Sequence, residues 1–448
     1  MKILLSLLFC VCGLNLFSQS QFVNNDRVCF VGNSITHGGR YYNYLFLYYA
    51  TRYPNVRLSF INAGISGDVA SGMYGRKEKD VMTFNPTKVV LMSGMNDVNR
   101  ELYSSNKIIY GADSLKEDAL EKYKINLTRL AEFFKGKNIP MIFCSPTIYD
   151  ENYNTPTESL RGVNNALGAC SRFVKKLADN YHAPYIDYWD GMNAINNQYQ
   201  SLGLDKTIIG RDRVHPDNAG HLIMSYLFLK QIGDVRPVWK LGLDAPTKKW
   251  VYQQYCSVSN IHRGKQGLSF DNEESALPFP DIERTEEAKK LIPFEKEINQ
   301  QTVMVRGLKK GDYILSINGD SIGRYSSELL SRGINIADNT NTPQYKKAAK
   351  IYELCKEMCG LWKNIRTFRM MEFWQLAKID IKDDEAVNKF LYKYMEENKN
   401  NIFPYSSAKL YLEKRKQESE MHERIKQIED RIYELNRPLT YKYLIVKK

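Results

Sequence analysis

Four short polar clusters carry the residue types that acyl-transfer chemistry needs. They are Gly32-Asn33-Ser34 with His37 just beyond, Gly64-Ile65-Ser66-Gly67-Asp68, Ser93-Gly94-Met95-Asn96-Asp97, and Asp212-Arg213-Val214-His215-Pro216-Asp217. Ser34 offers a hydroxyl where a strand hands over to a helix, and a helix N-terminus favours developing negative charge. Asp212 and His215 stand three residues apart, close enough for the carboxylate to hold one imidazole nitrogen while the other faces Ser34 and takes its proton. Gly67, lacking a Cβ, lets a bare N–H approach a substrate. Asn96 adds an amide donor. The N–H groups of Ser34 and Gly67 with this amide would form an oxyanion hole, in which losing one donor costs about 3–4 kcal/mol of barrier. A lone Ser after a strand is usually a helix cap, as Asp217 is before the last helix of this region. Only the four clusters together make Ser34 a nucleophile.

The elements that must position these clusters can be read from the hydropathy pattern. Short apolar runs at Arg27–Val31, Val56–Asn62, Lys88–Met92, Pro140–Cys144 and Pro184–Asp187 predict strands, with helices predicted over Tyr41–Arg52, Ser114–Lys135, Glu158–Tyr181 and Asn218–Ile232. Continuous apolar strands separated by helices imply a parallel sheet covered on both faces, an α/β protein built as a three-layer α/β/α sandwich. In such a sheet the carboxyl ends of the strands share one edge, where ligands bind. Clusters 180 residues apart therefore converge by topology alone.

Gly32-Asn33-Ser34, Gly67, Gly94-Met95-Asn96-Asp97 and Asp212-x-x-His215-Pro216, in that order, resemble the SGNH hydrolases, or GDSL-type esterases. The resemblance covers about residues 27–232. It implies Ser34 as nucleophile, Asp212 and His215 as the rest of a triad, and Ser34, Gly67 and Asn96 as oxyanion donors. The Asp usual before the serine is Asn33 here, a change expected to act on supporting hydrogen bonds. His37, Arg40, Tyr74 and Arg100 are expected substrate contacts, with a supporting or surface role for His37 the alternative. No metal and no cofactor is expected, because His221 lies six residues from His215, a poor spacing for two ligands on one helix.

Around this region the chain divides into an expected signal peptide (residues 1–20), the SGNH hydrolase domain (21–243), a β-rich domain (244–335) and a helical C-terminal region (336–448); the part after residue 243, with Ala276-Leu-Pro-Phe-Pro280 and Asn341-Thr-Pro-Gln-Tyr345, resembles the long C-terminal extension of exported bacterial members. Lys2 precedes an apolar run from Ile3 to Phe17, and small residues at Ser18 and Ser20 suit cleavage after Ser20. Periplasmic or secreted localisation follows, with no membrane span after cleavage. A lipid-modified Cys10 or Cys12 is the alternative, although neither follows a small-residue pair. Strands are expected at Trp250–Ser259, Gly267–Asp271, Thr302–Leu308 and Asp312–Ile317, with a hairpin at Asn318-Gly319. Ser407–Asn436 reads as one long amphipathic helix packed back on its own chain. Neither junction carries a flexible linker, so residues 244–448 are expected to clamp onto the α/β domain rather than to hang from it as a tethered module.

The 448 residues are 43% hydrophobic with net charge +12, a composition that excludes disordered, collagen-like and polytopic membrane chains. The positive excess is spread over both halves, which argues against a nucleic-acid partner. Cys29 and Cys144 read as buried hydrophobes, and Cys355 and Cys359 as core or semi-exposed thiols. The expected function is a serine esterase removing a small acyl group, acetyl, from an acylated polysaccharide or oligosaccharide. The alternatives are a lipase, lysophospholipase or thioesterase with the same triad, or a non-catalytic polysaccharide-binding protein on this fold.

Overall fold

The computed structural model describes residues 21–265 and 267–448; the expected signal peptide lies outside them. Strands β1 (Asp26–Gly32), β2 (Leu58–Gly64), β3 (Lys88–Met92), β4 (Met141–Cys144) and β5 (Tyr185–Ile186) form one parallel sheet in the order β2-β1-β3-β4-β5. Their side chains are buried almost without interruption, as strands covered on both faces require. The order reverses at β1, so the crevice expected for a ligand opens at the carboxyl ends of β1 and β3.

Helices α1 (Ser34–Gly38), α2 (Arg40–Arg52), α3 (Ala70–Arg76), α4 (Ala112–Gly136), α5 (Val163–Tyr181), α6 (Tyr188–Gln200) and α7 (Asn218–Ile232) connect and cover these strands. Four of them match the expected helices, but α5 starts at Val163 rather than Glu158, because Gly162 before it is left-handed (φ 96°). The sequence reading missed three. α1 and α3 are too short to show an apolar period, and α6 is rich in Asn, its start marked by Asp187, whose side chain accepts from Asp190 N. In α2 every residue but Arg40 is buried. A helix apolar on all sides needs cover on all sides, and the sheet supplies only one.

The chain continues through β6 (Trp239–Asp244), β7 (Lys249–Gln254), β8 (Cys256–Gly264), β9 (Gly267–Glu274), β10 (Gln301–Arg306), β11 (Asp312–Ile317), β12 (Asp320–Ser326) and β13 (Ile334–Asn335), and closes with β14 (Leu439–Lys447). These make a four-stranded sheet, β13-β10-β6-β7, and an antiparallel five-stranded one, β12-β11-β14-β9-β8. Helices α8 (Glu286–Leu291), α9 (Phe294–Glu297), α10 (Ser327–Arg332), α11 (Pro343–Met370), α12 (Asp384–Glu397), α13 (Ile402–Lys414) and α14 (Glu418–Leu435) complete the chain.

Three expectations are corrected here. The single strand Trp250–Ser259 is two, because Tyr255 adopts φ 56° and sends the chain from one sheet to the other. The β-rich part overruns 244–335 at both ends, since β6 begins at Trp239 and β14 supplies the middle strand of the antiparallel sheet. The long helix Ser407–Asn436 is α13 and α14 joined by a 3-10 turn at Arg415–Gln417. The turn falls between the buried positions Tyr411 and Met421.

One apolar core contains the parallel sheet, its helices and residues of α11 to α14, from Ile351 and Trp362 to Ile428 and Ile432. A second core lies between the two β-rich sheets. The C-terminal helices thus provide the missing cover for α2 and lock onto the α/β layer. Among the described residues no helix is long and apolar enough to cross a membrane, and all six cysteines are free.

Candidate active site

Ser34 is the first residue of α1, directly after β1. The Asn33 side chain caps the helix by accepting from Ile35 N at 3.2 Å. Asn33 therefore does the hydrogen-bonding work of a cap without a charge, while the Ser34 N–H lies in the first turn, where helix N–H groups have no intrahelical acceptor. The helix packs tightly on the sheet edge: a Cβ on Gly32 would collide with the Thr36 side chain, and one on Gly64 with the backbone at His37.

From the far end of the domain a tight loop brings His215 to Ser34. Ile209 and Pro216 bridge across its base, and Gly210 N donates to His215 O at 2.7 Å. Arg213 takes a left-handed backbone (φ 66°) inside it. Asp212 Oδ1 accepts from the backbone N–H groups of Val214 and His215, both at 3.0 Å, and Oδ2 lies 2.5 Å from His215 Nδ1. His215 Nε2 stands 2.7 Å from Ser34 Oγ. Burial pushes the Asp212 carboxyl up, but the hydrogen bonds from His215 and Val214 outweigh it and hold the group at about 2. Asp212 and His215 both remain about half exposed, so the chain of three groups opens to solvent.

The loop is anchored from behind. The buried Arg213 guanidinium donates to the carbonyls of Thr157, Asp150 and Tyr153. The buried Asp150 carboxylate accepts from Asn196, Gln200 and Thr207, which ties this segment to α6.

The other two clusters lie at the same sheet edge. Gly67 has φ 83° and open space where a Cβ would be, and its N–H has no protein acceptor among the described residues. Asn96 Nδ2 donates to Asp68 O at 2.9 Å, leaving its second hydrogen available, and Asn96 Oδ1 accepts from Arg100 at 2.9 Å. Arg100 thus fixes which way the amide points. The Asp97 carboxylate accepts from Gly94 N and Ala70 N, joining the second and third clusters; burial pushes it up to about 6.

Two of the expected substrate contacts lie away from the cavity at Ser34, His37 in the supporting role that was its alternative. His37 is buried: Nδ1 accepts from Ser66 N, and Nε2 lies 3.2 Å from Thr367 Oγ1 on α11. Burial and nearby Arg366 push it down to about 3, so it is a neutral strut. Tyr74 lies between the cations of Lys77 and Arg129 and does not line the cavity at Ser34. Arg40 does line that cavity, and Arg100 meets Asn96 as described.

Sequence reasoning missed Arg366, whose only signal is its place on the buried stripe of α11 beside Trp362 and Ile365. It reaches from the C-terminal region under the Gly64–Asp68 loop, donating to Gly64 O at 3.0 Å and forking onto Asp80 at 2.7 and 2.5 Å. Arg76 joins Asp80 to Asp68 at 2.5 and 2.8 Å. Asp80 is driven up by burial, yet the two guanidinium groups hold it at about 2. Among the described residues no cluster of three or more His, Cys, Asp or Glu is placed to hold a metal.

A cavity of about 430 Å³ opens beside Ser34 and His215. The α/β side contributes Arg40, Asn43, Tyr44 and His221, and α11 contributes Tyr352, Lys356 and Lys363. Oriented carboxylate, imidazole and hydroxyl with adjacent free N–H groups can perform nucleophilic acyl transfer.

Residues 30–223 match the GDSL-like lipase/acylhydrolase family model. An acetylxylan esterase of Geobacillus stearothermophilus is 26% identical over 228 residues, 47% of this chain and 95% of that protein. A solved structure described as a gut microbial diltiazem-metabolizing enzyme is 30% identical, covering 96% of this chain and 99% of its own with a TM-score of 0.87. The solved acetylxylan esterase Axe2 from Geobacillus stearothermophilus is 27% identical over 47% of this chain and 96% of its own, with a TM-score of 0.38.

Proposed function

The chain belongs to the GDSL-like lipase/acylhydrolase (SGNH) family and is an ester-hydrolysing enzyme, and on that premise we propose that it is a serine esterase removing acetyl groups from a carbohydrate through Ser34, His215 and Asp212. The observation that carries this reading is the unbroken relay from Asp212 to His215 at 2.5 Å and from His215 to Ser34 at 2.7 Å. Ser34 Oγ attacks the ester carbonyl while His215 Nε2 takes its proton. Asp212 holds Nδ1–H, fixing the tautomer and stabilising the imidazolium. The oxyanion that forms is met by the N–H groups of Ser34 and Gly67 and by the Asn96 amide. His215 then gives its proton to the leaving alcohol, and a water activated by the same imidazole cleaves the acetyl-serine.

The acetylated carbohydrate is supported by the acetylxylan esterase relative and by the cavity, whose polar and aromatic lining suits a hydroxyl-rich ring. Export belongs to the same proposal, resting on the Lys2 and Ile3–Phe17 pattern. The test is acetate release from acetylated xylan, pectin and xyloglucan beside hydrolysis of long-chain esters and of diltiazem. Acetate from one of the polysaccharides, lost in Ser34→Ala, is expected. Preference for long-chain esters would replace this reading with a lipase.

A further inference from the structure

The alcohol side of the site can be located by where its proton comes from. His215 must protonate the leaving alkoxide, so the alcohol lies against His215, whereas the carbonyl oxygen points to Gly67 and Asn96. The cavity of about 430 Å³ includes Ser34, His215 and Pro216 but neither Gly67 nor Asn96, so it is the alcohol side.

Its far wall is α11, which lies outside the 30–223 segment matched by the family model. The charges on its lining are uneven. Arg40, Lys356 and Lys363 are cationic, and Glu283 is the one carboxylate. Lys356 is matched by Glu353 at 3.2 Å, whereas neither Arg40 nor Lys363 forms a side-chain hydrogen bond or ion pair among the described residues. Asp217, just outside the lining, is the further carboxylate that feels Arg40, so the lining itself keeps an excess of cations over the single Glu283. The floor is polar as well: His221 Nδ1 and Asn43 Oδ1 are buried without a protein partner, so an aliphatic chain laid here would leave both unsatisfied. Tyr44 and Tyr352 supply ring faces of the kind that pack on sugars.

We propose that α11 completes the alcohol subsite and that the ester cleaved is carried by an acidic sugar, whose carboxylate is held by Arg40 and Lys363. The proposal rests on the esterase reading and adds the charge of the substrate to it. A planar guanidinium matches a carboxylate in two-point geometry, and a cleft with an excess of one sign raises the local concentration of oppositely charged substrate.

The test compares O-acetylated methyl glucuronoside with O-acetylated methyl glucoside, acetylated at the same position, using the whole protein and 4-nitrophenyl acetate as reference. The expected result is a kcat/KM about 10-fold or more in favour of the uronoside, weakening with added salt as partly exposed charges do. In Arg40→Gln/Lys363→Gln the ratio of the two sugar rates should fall to near one, whatever happens to each rate alone. Thermal unfolding of the variant checks that it folds. Equal rates on the two sugars in the wild type, or a ratio unchanged in the double variant, would overturn the acidic-sugar assignment while leaving the esterase intact. A 6-sulfated acetyl glucoside preferred over the uronoside would overturn the carboxylate in favour of a sulfate. Absence of turnover on 4-nitrophenyl acetate would instead overturn the esterase reading itself.

Discussion

In the proposed mechanism Ser34 is activated by its surroundings rather than by its own acidity. A free serine hydroxyl is a weak nucleophile, and what distinguishes this one is a base 2.7 Å away whose other nitrogen is held by a carboxylate. Ser34→Ala should lower turnover of 4-nitrophenyl acetate by at least about 10³-fold, because removing a triad member leaves only residual catalysis. Its unfolding midpoint should stay near the wild type, since a partly exposed hydroxyl carries little packing. A folded Ser34→Ala protein keeping a tenth of the activity would rule out the assignment. Asp212 makes a separate prediction. With its carboxyl held at about 2, it is ionised throughout the working range. Asp212 should then add no proton of its own to the acid limb of kcat/KM between pH 8 and pH 4. A two-proton acid limb in that window would show that Asp212 titrates there after all. The meeting of Ser34, His215 and Asp212 was legible in the sequence because acyl-transfer chemistry dictates both the types and the clustering of such residues. His37 and Tyr74 were not, since one residue near a motif says nothing of which way it points. His37 turns inward to Ser66 and Thr367, and its partner on α11 is 330 residues away.

At the scale of elements, what holds the clusters still is mostly side chain on main chain. The parallel strands and their helices were readable because burial on both faces leaves continuous apolar runs. The break between α13 and α14 was hidden because charge covers it: Arg415 pairs with Glu372 and Glu418, and Arg369 with Glu418. The link from α11 to the site was hidden for a similar reason, since an isolated Arg in a helix looks like a surface charge. Arg366 is instead fully buried and shares Asp80 with Arg76. Arg366→Met should destabilise the fold by about 3–5 kcal/mol, the usual cost of leaving half of a buried ion pair behind. It should also lower kcat, because the bond to Gly64 O steadies the loop leading to Gly67. Urea unfolding and steady-state kinetics together check both. Lysine at this position cannot fork onto Asp80 while also reaching Gly64 O, so Arg366→Lys should rescue only part of either loss. The same cluster sets an acid limit. The folded state holds Asp80 at about 2, below the ordinary carboxyl range. Its contribution to stability is therefore complete above that range and is lost as the pH falls toward 2. Acid unfolding of Arg366→Met should accordingly begin at higher pH than in the wild type.

At the scale of the whole molecule, α2 is the element that predicts the rest. Its sequence, Arg40-Tyr-Tyr-Asn-Tyr-Leu-Phe-Leu-Tyr-Tyr-Ala-Thr-Arg52, has no polar face, and all of it except Arg40 is buried. The sheet and α7 account for part of that burial, and α11 for another. The buried Arg52 guanidinium donates to the carbonyls of Leu277 and Ile298, and Asn436 at the end of α14 donates to Ala50 O at 2.6 Å. The chain after residue 240 is thus built into the α/β layer at several points far apart in sequence. A protein cut at Lys240 would keep Ser34, Gly67, Asn96, Asp212 and His215. It would nevertheless expose one flank of α2, leave Asp80 without Arg366, and strip α11 from the cavity beside Ser34. Such a fragment should be insoluble, or soluble only with greatly reduced activity. The C-terminal end makes the sharper case. β14 is the middle strand of its sheet, paired to β11 on one side and β9 on the other, and it carries Tyr443, whose hydroxyl donates to the buried Glu274 carboxylate at 2.6 Å. Removing residues 439–448 would unpair two strands at once and open the second core, although the deleted residues lie in neither the catalytic clusters nor the cavity lining. Limited proteolysis of the full chain distinguishes the possibilities. If the halves were independent, a protease would release a stable, fully active fragment ending near residue 240. A clamp gives the opposite pattern: cleavage confined to exposed segments such as the loop carrying Ile108 and Tyr110, the pieces staying together, and activity lost only when the fragments are denatured apart.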